Sequence, residues 1–248
     1  MNILALESGA TAWGLAIVRF GEEAEPLAIT IENEPRLLAR ELFSRIGSTL
    51  DAAQMTLGEI DALAVGSGPG SWTGLRVGLA AFKTLAQTRE IPIVGIPSFD
   101  PIAQAVWRNR DEAGTALLLV TAPCRPGELY AKIFECGADY LGIVQNEWIG
   151  TPQFLADTLS TESLSCGLET PALLSGAGSE NIAAILRERN EEYSQIEPEF
   201  EHALIELAIA GAIAVSANEA SDPMTLSPLY LSPSNAERNL IHLKTYGN

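Results

Sequence analysis

Between residues 66 and 78 the chain reads Gly66-Ser67-Gly68-Pro69-Gly70-Ser71-Trp72-Thr73-Gly74-Leu75-Arg76-Val77-Gly78, which puts glycines where a helix should reject them. The run follows an apolar strand candidate at 60–65 and opens a helical segment reaching about residue 87. Gly74 and Gly78 therefore fall inside a helix, where each costs about 1 kcal/mol against alanine. At about 100° per residue, Gly70, Gly74, Val77, Gly78, Ala81 and Leu85 share one face, flat enough for a close neighbour. Trp72, Leu75, Leu79, Phe82 and Ala86 form a second face, with a polar strip at Thr73, Arg76, Lys83 and Gln87. A helix apolar on two sides is covered on two sides. One cover is the domain's own sheet; the other is either more of this chain or a partner protein.

The flanking pattern supplies the sheet. Strands are predicted at 2–6, 14–20 and, after a turn at 21–26, at 27–31, a short antiparallel meander. From Arg36 the period becomes helical, with Leu38, Leu42, Phe43, Ile46 and Leu50 on one stripe and Pro35 suited to the first turn. A strand at 91–96, bounded by Pro92 and Pro97, completes the order β-β-β-α-β-α-β. That order predicts an α/β ribonuclease H-like lobe, as in actin-like ATPases, Hsp70 and sugar kinases. Beyond it come a helix at 99–109 and strands at 115–121, 129–135 and 143–149. A strand then ends in Ser175-Gly176-Ala177-Gly178 before a helix opening at Ser179, and an alanine-rich helix covers 201–218. We expect two such lobes of mixed sheet flanked by helices, at 1–100 and 101–248. The tail from Ser221, with Pro223, Pro228 and Pro233, packs as an extended strap or frays.

Charge and inventory narrow the chemistry. With 32 acidic against 15 basic residues, the formal charge of -17 opposes a phosphate backbone, so the chain is not expected to hold nucleic acid unaided. No apolar run reaches bilayer length and the N-terminus shows no export or lipidation signal, which predicts a cytoplasmic protein away from membranes. Cys124, Cys136 and Cys166 form no CxxC pair, and His202 and His242 form no zinc motif, so no metal or cofactor is expected.

Three candidate sites remain. The glycine run resembles a phosphate loop but ends Gly74-Leu75-Arg76, where a Walker loop needs Gly-Lys-Ser/Thr. Glu7-Ser8-Gly9-Ala10-Thr11, after the first strand, occupies the position of a phosphate-facing hairpin. Its counterpart in the second lobe, a turn expected at Thr121-Ala122-Pro123-Cys124, has no carboxylate to help hold Mg²⁺. Ser71, in a Gly-Pro-Gly-Ser turn, is not a nucleophile elbow.

The block from Ala64 to Ala86 is similar to the TsaB/YeaZ family of tRNA threonylcarbamoyladenosine biosynthesis proteins. So are Ile3 to Thr11 before it and, in order after it, Ile91-Pro92-Ile93-Val94-Gly95-Ile96-Pro97-Ser98-Phe99, Arg125-Pro126-Gly127-Glu128-Leu129-Tyr130-Ala131, Leu174-Ser175-Gly176-Ala177-Gly178 and Pro228-Leu229-Tyr230-Leu231. The resemblance implies a non-catalytic paralogue of the TsaD transferase in the actin-like ATPase (ASKHA) superfamily. It implies that the chain pairs with TsaD, is joined by TsaE, forms a homodimer when TsaD is absent, and meets tRNA only indirectly. Carried onto matching positions, the contact surface draws on Leu38, Leu42, Ile46, Trp72, Thr73, Gly74, Arg76, Gly78, Leu79 and Lys83. Glu7, Ser8, Gly9 and Thr11 would be a vestigial nucleotide turn with no catalytic residue. Here the family's Asp-Thr-Ser is Glu7-Ser8-Gly9, and its Gly-Asp-Gly is Gly176-Ala177-Gly178. Alternative functions are a kinase-like enzyme of the same fold or a protease acting on TsaD.

Overall fold

The computed structural model describes residues 1–110, 114–167 and 171–231; Pro233 and His242 lie outside them. Strands β1 (Asn2–Glu7), β2 (Trp13–Phe20) and β3 (Ala24–Glu32) form the meander, then α1 (Leu38–Ala52) leads to β4 (Ala62–Gly68), and α2 (Trp72–Arg89) to β5 (Ile93–Pro97). The first sheet is ordered β3-β2-β1-β4-β5, with β4 parallel to β1 and β5. After α3 (Phe99–Asn109) come β6 (Ala116–Arg125), β7 (Glu128–Cys136), β8 (Leu141–Gly150) and α4 (Pro152–Cys166). Then follow β9 (Ala172–Ser175), α5 (Ser179–Glu188), β10 (Tyr193–Gln195) and α6 (Phe200–Ser216). The second sheet, read as β8-β7-β6-β9-β10, repeats the plan of the first.

Alternation along β1 decides what covers each face. Leu4 and Leu6 point toward α1 and α2, packing with Leu38, Leu42, Ile46, Leu79 and Phe82. Ile3 and Ala5 point the other way, toward Leu204, Leu207, Ala208 and Ala212 of α6. Small residues let α6 come close: a Cβ on Gly211 would lie 2.5 Å from that of Ala64. In the second lobe Phe99, Ala103 and Val106 of α3 pack on Leu118 and Val120, while α4 and α5 cover the other face. Helices α3 and α6 touch between the sheets, where Arg108 and Glu206 pair at 2.7 Å. Thus α6 follows the second lobe in sequence but completes the first.

Two expectations are corrected. Phe43 is 60% exposed, because the i, i+4 ladder Leu38, Leu42, Ile46 and Leu50 alone faces the sheet. Thr121 to Cys124 is strand rather than turn, since β6 stays paired with β7 as far as Arg125. Helix α4, which no stripe announced, starts at the Thr151 cap with Pro152 in its first turn.

Candidate functional site

Helix α2 starts where Ser71 caps it, its hydroxyl accepting from the Gly74 N–H at 3.3 Å. The glycine face meets this chain's own β1–β2 turn. A Cβ on Gly70 would lie 2.3 Å from the Gly9 carbonyl oxygen, and one on Gly78 would lie 2.3 Å from Ser8 Oγ. The second face is internal as well, with Leu75, Leu79, Phe82 and Ala86 buried. Both covers of the helix therefore come from within the chain.

Among the residues expected at a partner surface, Leu38, Leu42, Ile46, Gly78 and Leu79 are buried, and Gly74 is half-buried against Ser8. Those five are committed to the core and cannot reach a partner without opening it. Thr73 and Arg76 are exposed, and Trp72 and Lys83 half-buried.

Sequence reasoning missed what lies over them. The segment 221–230 leaves α6, bonds from the Ser221 N–H to the Ile93 carbonyl at 2.7 Å, and seats Leu226 against Gly95. Lys83 Nζ donates to the Leu226 carbonyl at 2.7 Å, and the Leu229 N–H donates to the Ser67 carbonyl at 2.7 Å. Tyr230 then stacks on Trp72 with ring centroids 4.1 Å apart, and Arg76 Nε donates to the Tyr230 hydroxyl at 2.9 Å. The Arg76 guanidinium also lies 4.1 Å from the Trp72 ring centroid, a cation–π contact. The prolines at 223 and 228 signal an extended strap or a frayed tail, and the Pro-Leu-Tyr-Leu landmark lies at residues 228–231, but neither gives a destination.

Between the lobes lies a cavity of about 310 Å³, lined among others by Ala10, Thr11, Ser71, Ile102, Thr121 and Phe200. The hairpin expected to face a phosphate lies along this cavity, and the residues around it do not fit a nucleotide. Glu7 is buried, its carboxylate accepting from the Gly9 N–H at 2.6 Å, and a Cβ on Gly66 would lie 2.1 Å from its Oε2. Burial pushes its pKa up, opposed by the Gly9 N–H. Across the cleft Gly176 and Gly178 take positive φ of 89° and 94°, turning backbone N–H groups into an anion-binding nest. The chain's own carboxylates fill that nest: the Gly176 N–H donates to both Glu197 oxygens at 3.0 and 3.1 Å, and the Gly178 N–H to Glu180 at 3.0 Å. Among the described residues no lysine, arginine, histidine or aspartate lines the cavity, and no metal-binding cluster occurs. A phosphate chain would meet the Glu197 carboxylate and walls that are mostly apolar. Ser8, at the foot of this turn, is buried under Gly78, while Thr11 is exposed at the mouth.

A family model described as TsaD, tRNA N6-adenosine threonylcarbamoyltransferase, matches residues 35–225. The chain is 31% identical over 130 residues to the tRNA threonylcarbamoyladenosine biosynthesis protein TsaB of Escherichia coli, covering 52% of this chain and 53% of that protein. It is 27% identical over 135 residues to the tRNA N6-adenosine threonylcarbamoyltransferase of Geobacter sulfurreducens, covering 49% of this chain and 40% of that protein. The chain spans about half the length of the TsaB relatives it matches. The solved structure of YeaZ from Pseudomonas aeruginosa superposes with a TM-score of 0.71 at 20% identity, covering 93% of this chain and 99% of that one. No helix among the described residues is long and apolar enough to cross a membrane.

Proposed function

The chain belongs to the TsaD family, as a member of its TsaB/YeaZ type, and from that premise we propose that it is a non-catalytic subunit in the formation of threonylcarbamoyladenosine on tRNA. In this reading it binds and activates the TsaD transferase subunit, TsaE joins through that pair, and tRNA is met only through the complex. When TsaD is absent the same face forms a homodimer. The reading is carried by the contrast between two sites. The cleft has carboxylates where a phosphate would sit, whereas the outward strip of α2 presents Thr73 and Arg76 beside Trp72. Exposed α1 adds Phe43, a large aromatic at 60% exposure with no role in the core.

Leu79 is unsuited to testing this surface, because a charge at a buried position unfolds the chain. Arg76→Glu and Phe43→Asp alter exposed positions instead. Co-expression with TsaD should yield a complex on gel filtration that both substitutions weaken, with matching loss of tRNA modification in a reconstituted assay. Wild-type modification by TsaD without this chain, or a complex indifferent to both changes, would remove the reading.

A further inference from the structure

In a chain with more than twice as many acidic as basic residues, α2 carries Arg76, Lys83 and Arg89 and no acid at all. Among the described residues none of the three is paired with a carboxylate, as is also true of Arg36, Arg110 and Arg187, whereas Arg19, Arg40, Arg45, Arg108, Arg125, Lys132 and Arg189 are. Arg76 and Lys83 instead donate to neutral oxygens of the segment 221–230, which leaves their charge uncompensated. Beside that charge the segment exposes Met224 at 75% and Tyr230 at 41%. Tyrosine, tryptophan and arginine are the residue types that dominate binding hot spots, and here one of each is stacked in a preformed cluster. Preorganisation removes the ordering cost that three free side chains would incur on association.

We propose that the segment 221–230 is an integral part of the docking surface, and that the composite of this strap with α2 receives a carboxylate-bearing face of the partner subunit. This rests on the reading that α2 faces TsaD. It adds that the segment after α6 contributes to the contact, and that the occupant is an acidic protein surface. A second copy, which in that reading takes the face only when TsaD is absent, would set the α2 cations against each other and bind more weakly, and a nucleic acid would meet the field of a chain with formal charge -17.

The test uses the full chain with purified TsaD in isothermal titration calorimetry, comparing wild type, Tyr230→Ala, Arg76→Glu and Phe43→Asp. We expect Tyr230→Ala to weaken the complex by about tenfold, with unchanged circular dichroism and melting temperature. We also expect wild-type affinity to fall as NaCl rises from 50 to 500 mM. If Arg76→Glu and Phe43→Asp weaken binding while Tyr230→Ala does not, the strap inference fails and the reading of α2 stands. If none of the three matters, the reading itself fails. Affinity that rises with salt, or a homodimer so strengthened, would overturn the acidic occupant. So would tRNA binding by the isolated chain that Arg76→Glu abolishes while TsaD binding is untouched.

Discussion

A Cβ on Gly74 would sit 2.0 Å from the carbonyl oxygen of Ser8. That contact fixes how closely α2 lies on the β1–β2 turn, and backbone cannot yield as a flexible side chain would. Gly74→Ala should therefore destabilise the protein by about 2 to 3 kcal/mol in urea unfolding, despite gaining about 1 kcal/mol of helix propensity. Gly47 in α1 has open space around it, so Gly47→Ala should stabilise by about 1 kcal/mol. Equal effects from the two would contradict the close approach.

Burial raises the Glu7 pKa, so the folded state keeps a proton that the unfolded chain has already lost. The stability tied to this group is full below the unfolded carboxylate pKa, declines as pH rises toward the folded value, and stays lower beyond it. Glu7→Gln preserves an oxygen for the Gly9 N–H and removes the titration. Its stability relative to wild type should grow with pH through the weakly acidic range, by at most about 1.4 kcal/mol per pH unit, and then level off. Unfolding measured from pH 4.5 to 8 would show it; a difference independent of pH would mean that Glu7 ionises freely.

Lys132 is 2% exposed and bridges Asp100, at 2.5 Å on α3, to Glu147, at 2.9 Å on β8. Lys132→Met leaves two carboxylates facing a lost cation and should cost about 3 to 5 kcal/mol. Adding Asp100→Asn and Glu147→Gln should restore most of it. A triple variant no more stable than the single one would show that packing of the lysine stem, rather than charge, sets the loss.

The three cysteines should differ in reactivity. Burial pushes the Cys136 thiol up to about 11, so little thiolate exists at pH 8. Cys166 is exposed and Cys124 half-buried. Titration with a chromogenic disulfide should modify Cys166 first, and Cys136 only once the chain unfolds. Early labelling of Cys136, read by peptide mass spectrometry, would show that the α3–β7 packing opens readily.

Nine of the ten described strands were legible because their cores alternate or run as continuous apolar stretches, and the element order of the first lobe was legible as a meander with parallel crossovers; β10, three residues with none buried, left no apolar signal. The glycine face of α2 was legible as a close-packing surface, but not its target. A helical wheel shows which side is flat, whereas the Gly9 carbonyl reaches Gly70 through tertiary folding. Leu38, Leu42, Ile46 and Leu79 read equally well as core or as interface, since apolar periodicity is the same for both. Glu197 left no local signal, because it meets the Gly176 nest across 21 residues. The strap joins residues more than 140 positions apart, Lys83 with Leu226 and Arg76 with Tyr230, which no periodicity encodes.

The placement of α6 sets a timetable for synthesis. Ile3, Ala5, Val18 and Ala64 belong to strands complete by residue 97, yet the helix that covers them ends at Ser216. At 5 to 20 residues per second that is a wait of roughly 6 to 24 s with one apolar sheet face open. Chains stalled on the ribosome before α6 emerges should be held by chaperones that bind exposed apolar surface, and released once it has docked. The lobe begun first is the lobe finished last.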